Sequence, residues 1–373
     1  MMGRDGSSRV DGIDAGVLLP LVRQALGMET VGMGEWTTEA LGGAGGQVIR
    51  LFRGSATDGR RKIAWSLVLK RLRVSESAAD PSAQAYWRRE ADVHESGVLS
   101  CLEGGLRAAP CLAIHDFGDE VWLWMPEVQD DEPERWSLAR LGLAARQLGQ
   151  FNAQLPERRA ESIWAGIPRQ WLRAWHEDAV RPGYAAYQGC ILEPGAGTVF
   201  EAETAEEVER IWRAADELLD RLELLPQCFC HFDAFRRNLF AVGDTTVAID
   251  WAFAGLGAYG EDLASLVFAT IGLDGIESRD LDGFREIAFA EYMTGLREAG
   301  WRGDDTATRF AFLAHGCARF SVYIASIVLQ ASLDEDERAF LVDVTGVELA
   351  GWQAAMEFFH SNHAELWELQ SSL

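Results

Sequence analysis

One stretch decides the fold of this chain of 373 residues: residues 230–250, which read CHFDAFRRNLFAVGDTTVAID. Its second half contains two short apolar, β-prone runs on either side of a Gly-Asp pair, and this pattern is typical of a β-hairpin. The hairpin would place Asp233 and Asn238 before its first strand and Asp250 just after its second strand. The sequence therefore predicts that three polar side chains converge at one end of a hairpin.

The order and spacing of these side chains suit phosphoryl transfer. That reaction needs a carboxylate that accepts the proton of the attacking hydroxyl, next to metal ions that neutralise the charge of the phosphates. A catalytic loop followed closely by a metal-binding aspartate supplies both from one short stretch of chain. Either aspartate alone would be weak evidence, since acidic residues in loops are commonly just solvated. The signal is the ordered set of three residues around a hairpin.

The stretch resembles the aminoglycoside phosphotransferase family, relatives of the protein kinases that phosphorylate small molecules. The resemblance rests on the pattern His231-x-Asp233-x-x-x-x-Asn238, on the hairpin and on the Ile-Asp-Trp run at Asp250. It implies that Asp233 is the catalytic base, that Asn238 and Asp250 bind Mg²⁺, and that His231 is structural. By the same resemblance, Asp262 begins a helix and braces the catalytic loop.

The resemblance and the predicted elements indicate an α+β, bilobal, protein-kinase-like fold. We expect a small lobe with an antiparallel sheet at residues 1–127, which binds the nucleotide. A larger, mostly helical lobe at residues 128–373 would hold the catalytic loop and the acceptor site. Residues 1–10 are polar and rich in Gly and Ser, and we expect them to be mobile. Periodicity predicts strands over 34–40, 48–53, 63–70, 114–117 and 120–125, and helices over 17–26, 83–96 and from 138 onward.

A glycine-rich turn joins the first two predicted strands. Backbone N–H groups at Gly43, Gly45 and Gly46 could approach phosphate oxygens closely, because no side chain intervenes. The turn is not a P-loop, since no Gly-Lys-Ser/Thr follows it and no helix opens there. A merely flexible hairpin is the alternative, and the neighbouring lysine strand favours nucleotide binding.

That lysine strand ends at Lys70. Only two of the 34 basic side chains are lysines, so a surface cation in this chain would be expected to be arginine. A lysine on an apolar strand indicates a site that needs a compact point charge, as for pairing with α- and β-phosphates. The resemblance implies that Glu90, on the next predicted helix, faces Lys70; an ordinary surface pair within that helix is the alternative for Glu90.

Residues 125–128, Met-Pro-Glu-Val, follow the last predicted strand of the small lobe. They resemble the hinge that links the two lobes of the family and binds adenine through its backbone. We therefore assign Glu127 and Val128 to nucleotide binding. The acidic run that follows them is read as a solvated linker.

The chain departs from the pattern of the family that it resembles at Phe232, where that family usually has Gly, and at Phe235-Arg236-Arg237, where it usually has His-Pro-Gly. The planar donors of Arg237 could bridge the carboxylate of Asp233 or the transferring phosphoryl group. We predict this catalytic role for Arg237, and we expect Arg236 to point to the other side of the chain. The alternative is that Arg237 points to solvent.

Composition narrows the class of protein. The net charge of −24 argues against nucleic-acid binding, which requires a basic surface. No signal peptide or membrane span is visible, so we expect a cytoplasmic protein that binds no membrane. Its six dispersed cysteines are expected to be reduced and to bind no structural metal.

The leading hypothesis is an ATP- and Mg²⁺-dependent phosphotransferase that acts on a hydroxyl of a small molecule. A protein kinase is less favoured, because the eleven residues between Asp250 and Asp262 are too few for a long activation segment and contain no Ser or Thr. A nucleotide-binding regulatory module without turnover is the third alternative. Antibiotics, amino alcohols and sugars all remain open as acceptors, and the oligomeric state is open too.

Overall fold

The computed structural model describes residues 12–42, 48–75, 78–193, 196, 199–200, 202–270 and 280–372. The predicted mobile terminus, residues 1–10, and the three predicted phosphate-binding glycines, Gly43, Gly45 and Gly46, lie outside the described residues. The chain divides into two compact units. We call Met1–Ala79 with Ala109–Gln129 the sheet unit, and Asp80–Ala108 with Asp130–Leu373 the helical unit.

The strands are numbered in chain order. They are β1 (Gly32–Gly42), β2 (Val48–Thr57), β3 (Lys62–Arg73), β4 (Leu106–Ala108), β5 (Ala113–Asp116), β6 (Glu120–Pro126), β7 (Gln227–Cys230), β8 (Leu239–Val242), β9 (Thr245–Ala248) and β10 (Gly255–Ala258).

The helices are numbered in the same way. They are α1 (Ala15–Leu26), α2 (Arg89–Ser96), α3 (Leu138–Gln154), α4 (Glu157–Ile163), α5 (Trp171–Trp175), α6 (Arg181–Cys190), α7 (Ala202–Leu224), α8 (Glu261–Ala264), α9 (Leu281–Glu298), α10 (Asp305–Gly316), α11 (Val322–Leu333), α12 (Glu335–Thr345) and α13 (Leu349–Ser372).

The sheet unit is built on an antiparallel sheet with the strand order β1-β2-β3-β6-β5. Alternate residues of β3, among them Leu67 and Leu69, are buried together with residues of α1, because side chains of a strand alternate between its faces. Helix α1 is capped at its start by Asp14, whose carboxylate accepts from two backbone amides, and ends at Gly27 with a left-handed φ of 63°. The strands and this helix confirm the expected antiparallel sheet.

The helix predicted over residues 83–96 is shorter in the structure and begins only at Arg89. The residues before it turn around the Arg89 guanidinium, which donates to the carbonyl oxygens of Gln84 (2.7 Å), Pro81 (3.2 Å) and Ala83. The carbonyl oxygens of Gln84 and Pro81 thus accept from a side chain, and that of Ala83 accepts also from the amide of Tyr86 (3.2 Å). The residues before Arg89 therefore form turns around its buried side chain and not the first turns of the predicted helix.

Residues Asp80–Ala108 belong to the helical unit, although we predicted all of residues 1–127 in the first lobe. Strand β4 pairs in parallel with β9, and Arg89 Nη1 donates to the carbonyl oxygen of Ala252 (3.3 Å). These bonds tie the segment to the catalytic region. The later boundary, after Gln129, lies within two residues of the predicted one.

Two glycines let α3 and α9 cross at close range in the helical unit. A Cβ atom on Gly149 would lie 2.2 Å from the carbonyl oxygen of Tyr292, and one on Gly295 would lie 1.9 Å from that of Arg146. Neither position has room for a larger residue, because real Cβ contacts are never this short. The crossing brings α9 next to the helix that supports the catalytic loop.

One helical stretch, Asp305–Leu333, is long and apolar enough to cross a membrane by length and composition. In the structure, 89% of its most apolar window is buried inside the protein. It includes α10 and α11, which pack in the core of the helical unit. Its apolar character is accounted for by that core.

Candidate active site

The catalytic loop follows β7, and Asp233 lies at its centre. Asn238 Nδ2 donates both to the backbone oxygen of Asp233 (3.0 Å) and to its Oδ2 (2.9 Å). The loop closes with a short 3₁₀ turn, Arg236–Asn238, before β8 begins. The structure therefore brings together Asp233 and Asn238, two of the three side chains on which the sequence prediction rests.

His231 holds the loop through its ring. Its Nδ1 accepts from the amide of Asp233 (3.2 Å), so Nε2 carries the proton and donates to the carbonyl oxygen of Ile249 (2.9 Å). These two bonds connect the catalytic loop to the end of the hairpin, one residue before Asp250. His231 is completely buried, as suits the structural role that the resemblance implied.

Asp262 braces the loop from the first turn of α8, as predicted. Its two carboxylate oxygens accept from the amides of His231 (3.0 Å) and Phe232 (2.7 Å). Asn152 on α3 also donates to this carboxylate (3.1 Å) and receives a hydrogen bond from the hydroxyl of Tyr292 on α9 (2.8 Å). Burial raises the pKa of Tyr292 well above its ordinary value, so the phenol stays a donor.

Phe232 adopts a left-handed backbone conformation with φ of 61°. Its ring is stacked against Trp171 (5.1 Å between ring centroids) and against His315 (5.6 Å), and the rings of these two residues lie 6.4 Å from one another. A Cβ atom on Gly257 would lie 2.5 Å from this ring, so the glycine makes room for it. Packing thus holds a bulky residue in a conformation that costs roughly 1–3 kcal/mol.

Arg319, on the π-helical turn between α10 and α11, contacts the carboxylate of Asp233. Its Nη2 donates to Asp233 Oδ1 (3.0 Å), and its Nη1 donates to Ser265 Oγ (2.7 Å) and to the carbonyl oxygen of Phe232. The guanidinium lies over the rings of Trp171, Trp175 and Phe320, about 5 Å from each centroid. This arginine is 4% exposed, so its orientation is fixed by packing as well as by hydrogen bonds.

Burial raises the pKa of Asp233 above its ordinary value, and the nearby charge of Asp250 acts in the same direction. Arg319 opposes both by stabilising the carboxylate. Since its side chain is still 21% exposed, Asp233 remains open to a reacting hydroxyl. A carboxylate of raised pKa is a stronger base than an ordinary aspartate, which suits the acceptance of a hydroxyl proton.

Asp250 follows the hairpin with a left-handed φ of 60°, a conformation that is uncommon outside glycine but that Asp and Asn adopt more readily than other residues. Among the described residues, no group of three or more His, Cys, Asp or Glu side chains forms a metal cage. Mg²⁺ in phosphotransferases is held by one or two protein side chains together with phosphate oxygens, so such a cage is not needed. Asn238 fits this role, because its Nδ2 bonds to Asp233 turn its Oδ1 away from that carboxylate.

Arg319 makes a contact with Asp233 of the kind that we predicted for Arg237, and the catalytic role of Arg237 stays a prediction. Arg237 is exposed and donates to the carbonyl oxygen of Thr345, at the end of α12 (2.8 Å). Its neighbour Arg236 is the more firmly held of the two: it forms an ion pair with Asp130 (2.9 Å) and lies over the ring of Trp136 (4.4 Å). The two adjacent arginines do point in different directions, as expected.

Sequence reasoning missed Arg319 altogether. It lies 86 residues after Asp233, in an apolar stretch whose pattern predicts nothing more than a buried helix. The available signal was a charged residue in the middle of a strongly apolar stretch, since arginine is almost never buried without a partner.

The sheet unit contains the other predicted nucleotide-binding residues that the structure describes. Lys70 is 3% exposed on β3, between Ile49 of β2 and Leu123 of β6. Glu127 follows β6 and forms an ion pair with Arg53 (2.7 Å), and Val128 is half-buried beside it. Glu90 is buried in α2 of the helical unit, and its pairing with Lys70 stays a prediction.

A small antiparallel-sheet unit, a mostly helical unit and this catalytic loop define a protein-kinase-like phosphotransferase. The chain belongs to the phosphotransferase enzyme family APH, whose family model matches residues 48–302. No curated protein is significantly similar to this sequence.

Solved structures share the fold at low sequence identity. An aminoglycoside phosphotransferase from Alicyclobacillus acidocaldarius is 12% identical with a TM-score of 0.55, over 97% of this chain and 99% of that chain. The amicoumacin kinase hAmiN, in complex with AMP-PNP, Ca²⁺ and Ami, is 13% identical with a TM-score of 0.52, over 92% of this chain and 94% of that chain. A choline/ethanolamine kinase family protein from Mesorhizobium loti is 16% identical with a TM-score of 0.48, over 88% of this chain and 92% of that chain.

Proposed function

We propose that this protein is an ATP- and Mg²⁺-dependent phosphotransferase that phosphorylates a hydroxyl of a small molecule. The observation that supports this most directly is Asp233, a partly exposed carboxylate of raised pKa that is bound by Asn238 and by Arg319. Asp233 takes the proton of the attacking hydroxyl. Arg319 positions the carboxylate and keeps it ionised.

Asn238 and Asp250 would hold Mg²⁺ together with oxygens of the bound phosphates. The ion supplies charge neutralisation for the transferring phosphoryl group. The charge of Asp250 contributes to the raised pKa of Asp233, which supports a role of both carboxylates in one reaction. A cation at Asp250 would reduce that repulsion.

The nucleotide is assigned to the sheet unit. Lys70, buried on β3, suits pairing with the α- and β-phosphates, because its ammonium is a compact point charge. Gly43, Gly45 and Gly46 would donate backbone N–H groups to phosphate oxygens, and Glu127 and Val128 would bind adenine through their backbone. Glu90 would orient Lys70. The amicoumacin kinase with the same fold binds AMP-PNP, which supports the use of ATP.

We also propose a cytoplasmic location. ATP and Mg²⁺ are available there, and all six cysteines of the chain are free thiols, as a reducing compartment requires. The strongly negative net charge is consistent with a protein that binds no nucleic acid.

Two substitutions test the division of roles. Asp233→Asn should lower turnover by about 10²–10⁴-fold while Mg·ATP binding stays nearly intact, because the lost group acts only on the acceptor proton. Asp250→Asn should instead weaken the Mg²⁺-dependent part of ATP binding. Calorimetric titration with ATP, with and without Mg²⁺, measures both effects.

Asp244→Asn is the matched control, since this exposed aspartate lies in the hairpin turn between the two. It should leave ATP binding and turnover unchanged. Equal loss of nucleotide binding in the Asp233 and Asp250 variants, with both still folded, would contradict the assignment.

A further inference from the structure

A cavity of about 460 Å³ lies in the helical unit, and Asp233 forms part of its wall. A cavity of this size accommodates a drug-sized molecule. Because it reaches the proposed base, it is the place where the acceptor would lie. The polarity and charge of the side chains in its wall therefore indicate the chemical class of the acceptor. This inference rests on the function proposed above.

Aromatic and aliphatic side chains form most of this wall. They include Trp175, Phe253, Phe320, Tyr323, Ile327 and Trp352. Tyr323 and Gln330 are among the few uncharged polar side chains in the wall. A surface of this kind binds an apolar body and orients it by a small number of polar contacts.

Charge in the described part of the wall is limited to three residues: Asp233, Arg319 and Glu337. Asp233 and Arg319 form an ion pair with one another (3.0 Å), and Glu337 is exposed on α12. An acceptor with several ammonium groups would need a buried carboxylate for each of them. The described residues of the wall do not provide these carboxylates.

A single small cation is disfavoured as well. Aromatic rings can bind ammonium groups, but the rings of Trp175, Phe253 and Phe320 already lie against the Arg319 guanidinium, with centroids 4.8–6.0 Å from its central carbon. A second cation on these rings would lie near a like charge. The aromatic wall is therefore suited to a neutral body.

Helix α12 exposes apolar side chains where it borders the cavity. Phe340 is 64% exposed and Val344 is 53% exposed, while Leu341 on the same helix is buried. Large exposed apolar groups beside a cavity indicate surface that a ligand covers. These side chains lengthen the apolar wall beyond the cavity itself.

We propose that the acceptor is a neutral hydroxyl compound with an aromatic or polycyclic apolar body, not a polycationic amino sugar or a small amino alcohol. Its hydroxyl lies at Asp233, and its apolar body lies along the aromatic wall and α12. Phosphoryl transfer then forms the bond between the acceptor oxygen and the γ-phosphorus, breaks the bond to the ADP oxygen, and moves the hydroxyl proton to Asp233.

Measurements of ligand binding test the proposed chemical class of the acceptor and do not depend on turnover. The probes are 2-(2-naphthyl)ethanol and estradiol as neutral apolar alcohols, kanamycin as a polycationic amino sugar, and choline as a small cation. Each is titrated into the full-length protein with Mg·ADP and followed by calorimetry. Both apolar alcohols should bind at least about tenfold more tightly than kanamycin or choline.

A matched pair of variants tests whether the apolar alcohols bind at this cavity. Phe340→Asp should weaken binding of the naphthyl alcohol by about tenfold or more, because it places a charge on the apolar wall. Phe117→Asp, at a similarly exposed phenylalanine (58%) of the sheet unit, should leave the affinity for the naphthyl alcohol unchanged. Equal effects of the two substitutions, tighter binding of kanamycin or choline, or no binding of either apolar alcohol would each overturn the proposal.

Phosphoryl transfer from ATP, measured with the same four probes, separates this proposal from the proposed function. Apolar alcohols that bind in a Phe340-dependent manner but receive no phosphate would uphold the binding site and count against the enzyme function. Rapid phosphorylation of kanamycin or choline, with none of the apolar alcohols, would uphold the enzyme function and overturn the acceptor class.

Discussion

Asp233 and Arg319 are the pair of residues on which the chemistry of the proposed site most depends. Burial and the charge of Asp250 raise the pKa of Asp233, while Arg319 lowers it, and the first two effects are larger together. The base works in its ionised form, so activity is lost as the pH falls through this pKa. Burial is the largest of these effects and persists when Mg²⁺ reduces the repulsion from Asp250, so the acid limb of the rate profile should lie at higher pH than for an ordinary aspartate.

Arg319→Ala should move that acid limb to still higher pH, because it removes the charge that stabilises the carboxylate. We also expect kcat to fall by about 10²-fold, since the hydrogen bonds that orient Asp233 are lost. Arg319→Lys keeps the charge but not the planar set of donors, so it should restore the pH profile more than kcat. The measurement is kcat/KM for the acceptor between pH 5 and 9.

Arg237→Ala is the control for this experiment, since Arg237 is an exposed arginine of the catalytic loop. We expect a smaller loss of kcat and no change in the acid limb. An Arg319→Ala enzyme with the acid limb of the wild type would show that the guanidinium does not act through Asp233.

Lys70 offers a second test at the residue scale. It is buried within the sheet, where a guanidinium is larger and holds its charge at a different distance than an ammonium. Lys70→Arg should therefore lower kcat/KM for ATP nearly as much as Lys70→Ala, by at least about 10²-fold. Lys62→Arg, at the exposed start of the same strand, should have no effect. Near-normal ATP kinetics of the Lys70→Arg enzyme would remove this lysine from the phosphate site.

At the scale of elements, the catalytic loop depends on how closely two helices pack. Asp262 accepts hydrogen bonds from the loop, Asn152 on α3 donates to Asp262, and Tyr292 on α9 donates to Asn152. The last contact requires the close crossing that Gly149 and Gly295 allow. The geometry of the loop is thus set by a chain of hydrogen bonds that ends on a helix far along the sequence.

Gly295→Ala should disturb this crossing, because the added Cβ would clash with the backbone oxygen of Arg146. We expect a loss of about 1–3 kcal/mol in the free energy of unfolding, together with a lower kcat. Gly283→Ala on the same helix has open space around it and should be neutral or stabilise the protein by up to about 1 kcal/mol. Urea unfolding of both variants measures the difference in their free energies of unfolding. Equal values would mean that α3 and α9 can move apart without loss of stability.

At the scale of the whole molecule, the net charge of −24 opposes compaction through self-repulsion. Surface ion pairs act against this, but exposed pairs contribute only about 0–1 kcal/mol each. Salt screens both effects, and we expect relief of the repulsion to dominate. Raising NaCl from 10 to 150 mM should therefore raise Tm by a few degrees, an estimate that follows from about 1 kcal/mol of added stability. A lower Tm in salt, measured by calorimetry, would show that the ion pairs prevail.

The sequence by itself determined the local features of this protein. The hairpin, the proximity of Asp233 and Asn238 in the loop before it, the brace at Asp262 and the antiparallel strands of the sheet unit are all confirmed. Each of the first two depends on residues within about ten positions of one another, where turn chemistry and side-chain alternation leave few conformations. The brace spans 31 positions and was recognised only through the family resemblance.

Only the tertiary structure decided which distant groups complete the site. Arg319 reaches Asp233 across 86 positions, Phe232 stacks against both Trp171 and His315, and residues Asp80–Ala108 join the helical unit. No local pattern specifies such contacts, because they depend on how helices pack and on which buried charge needs a partner. The aromatic wall beside Asp233 arises in the same way, from side chains of several helices that meet only when the helical unit is folded.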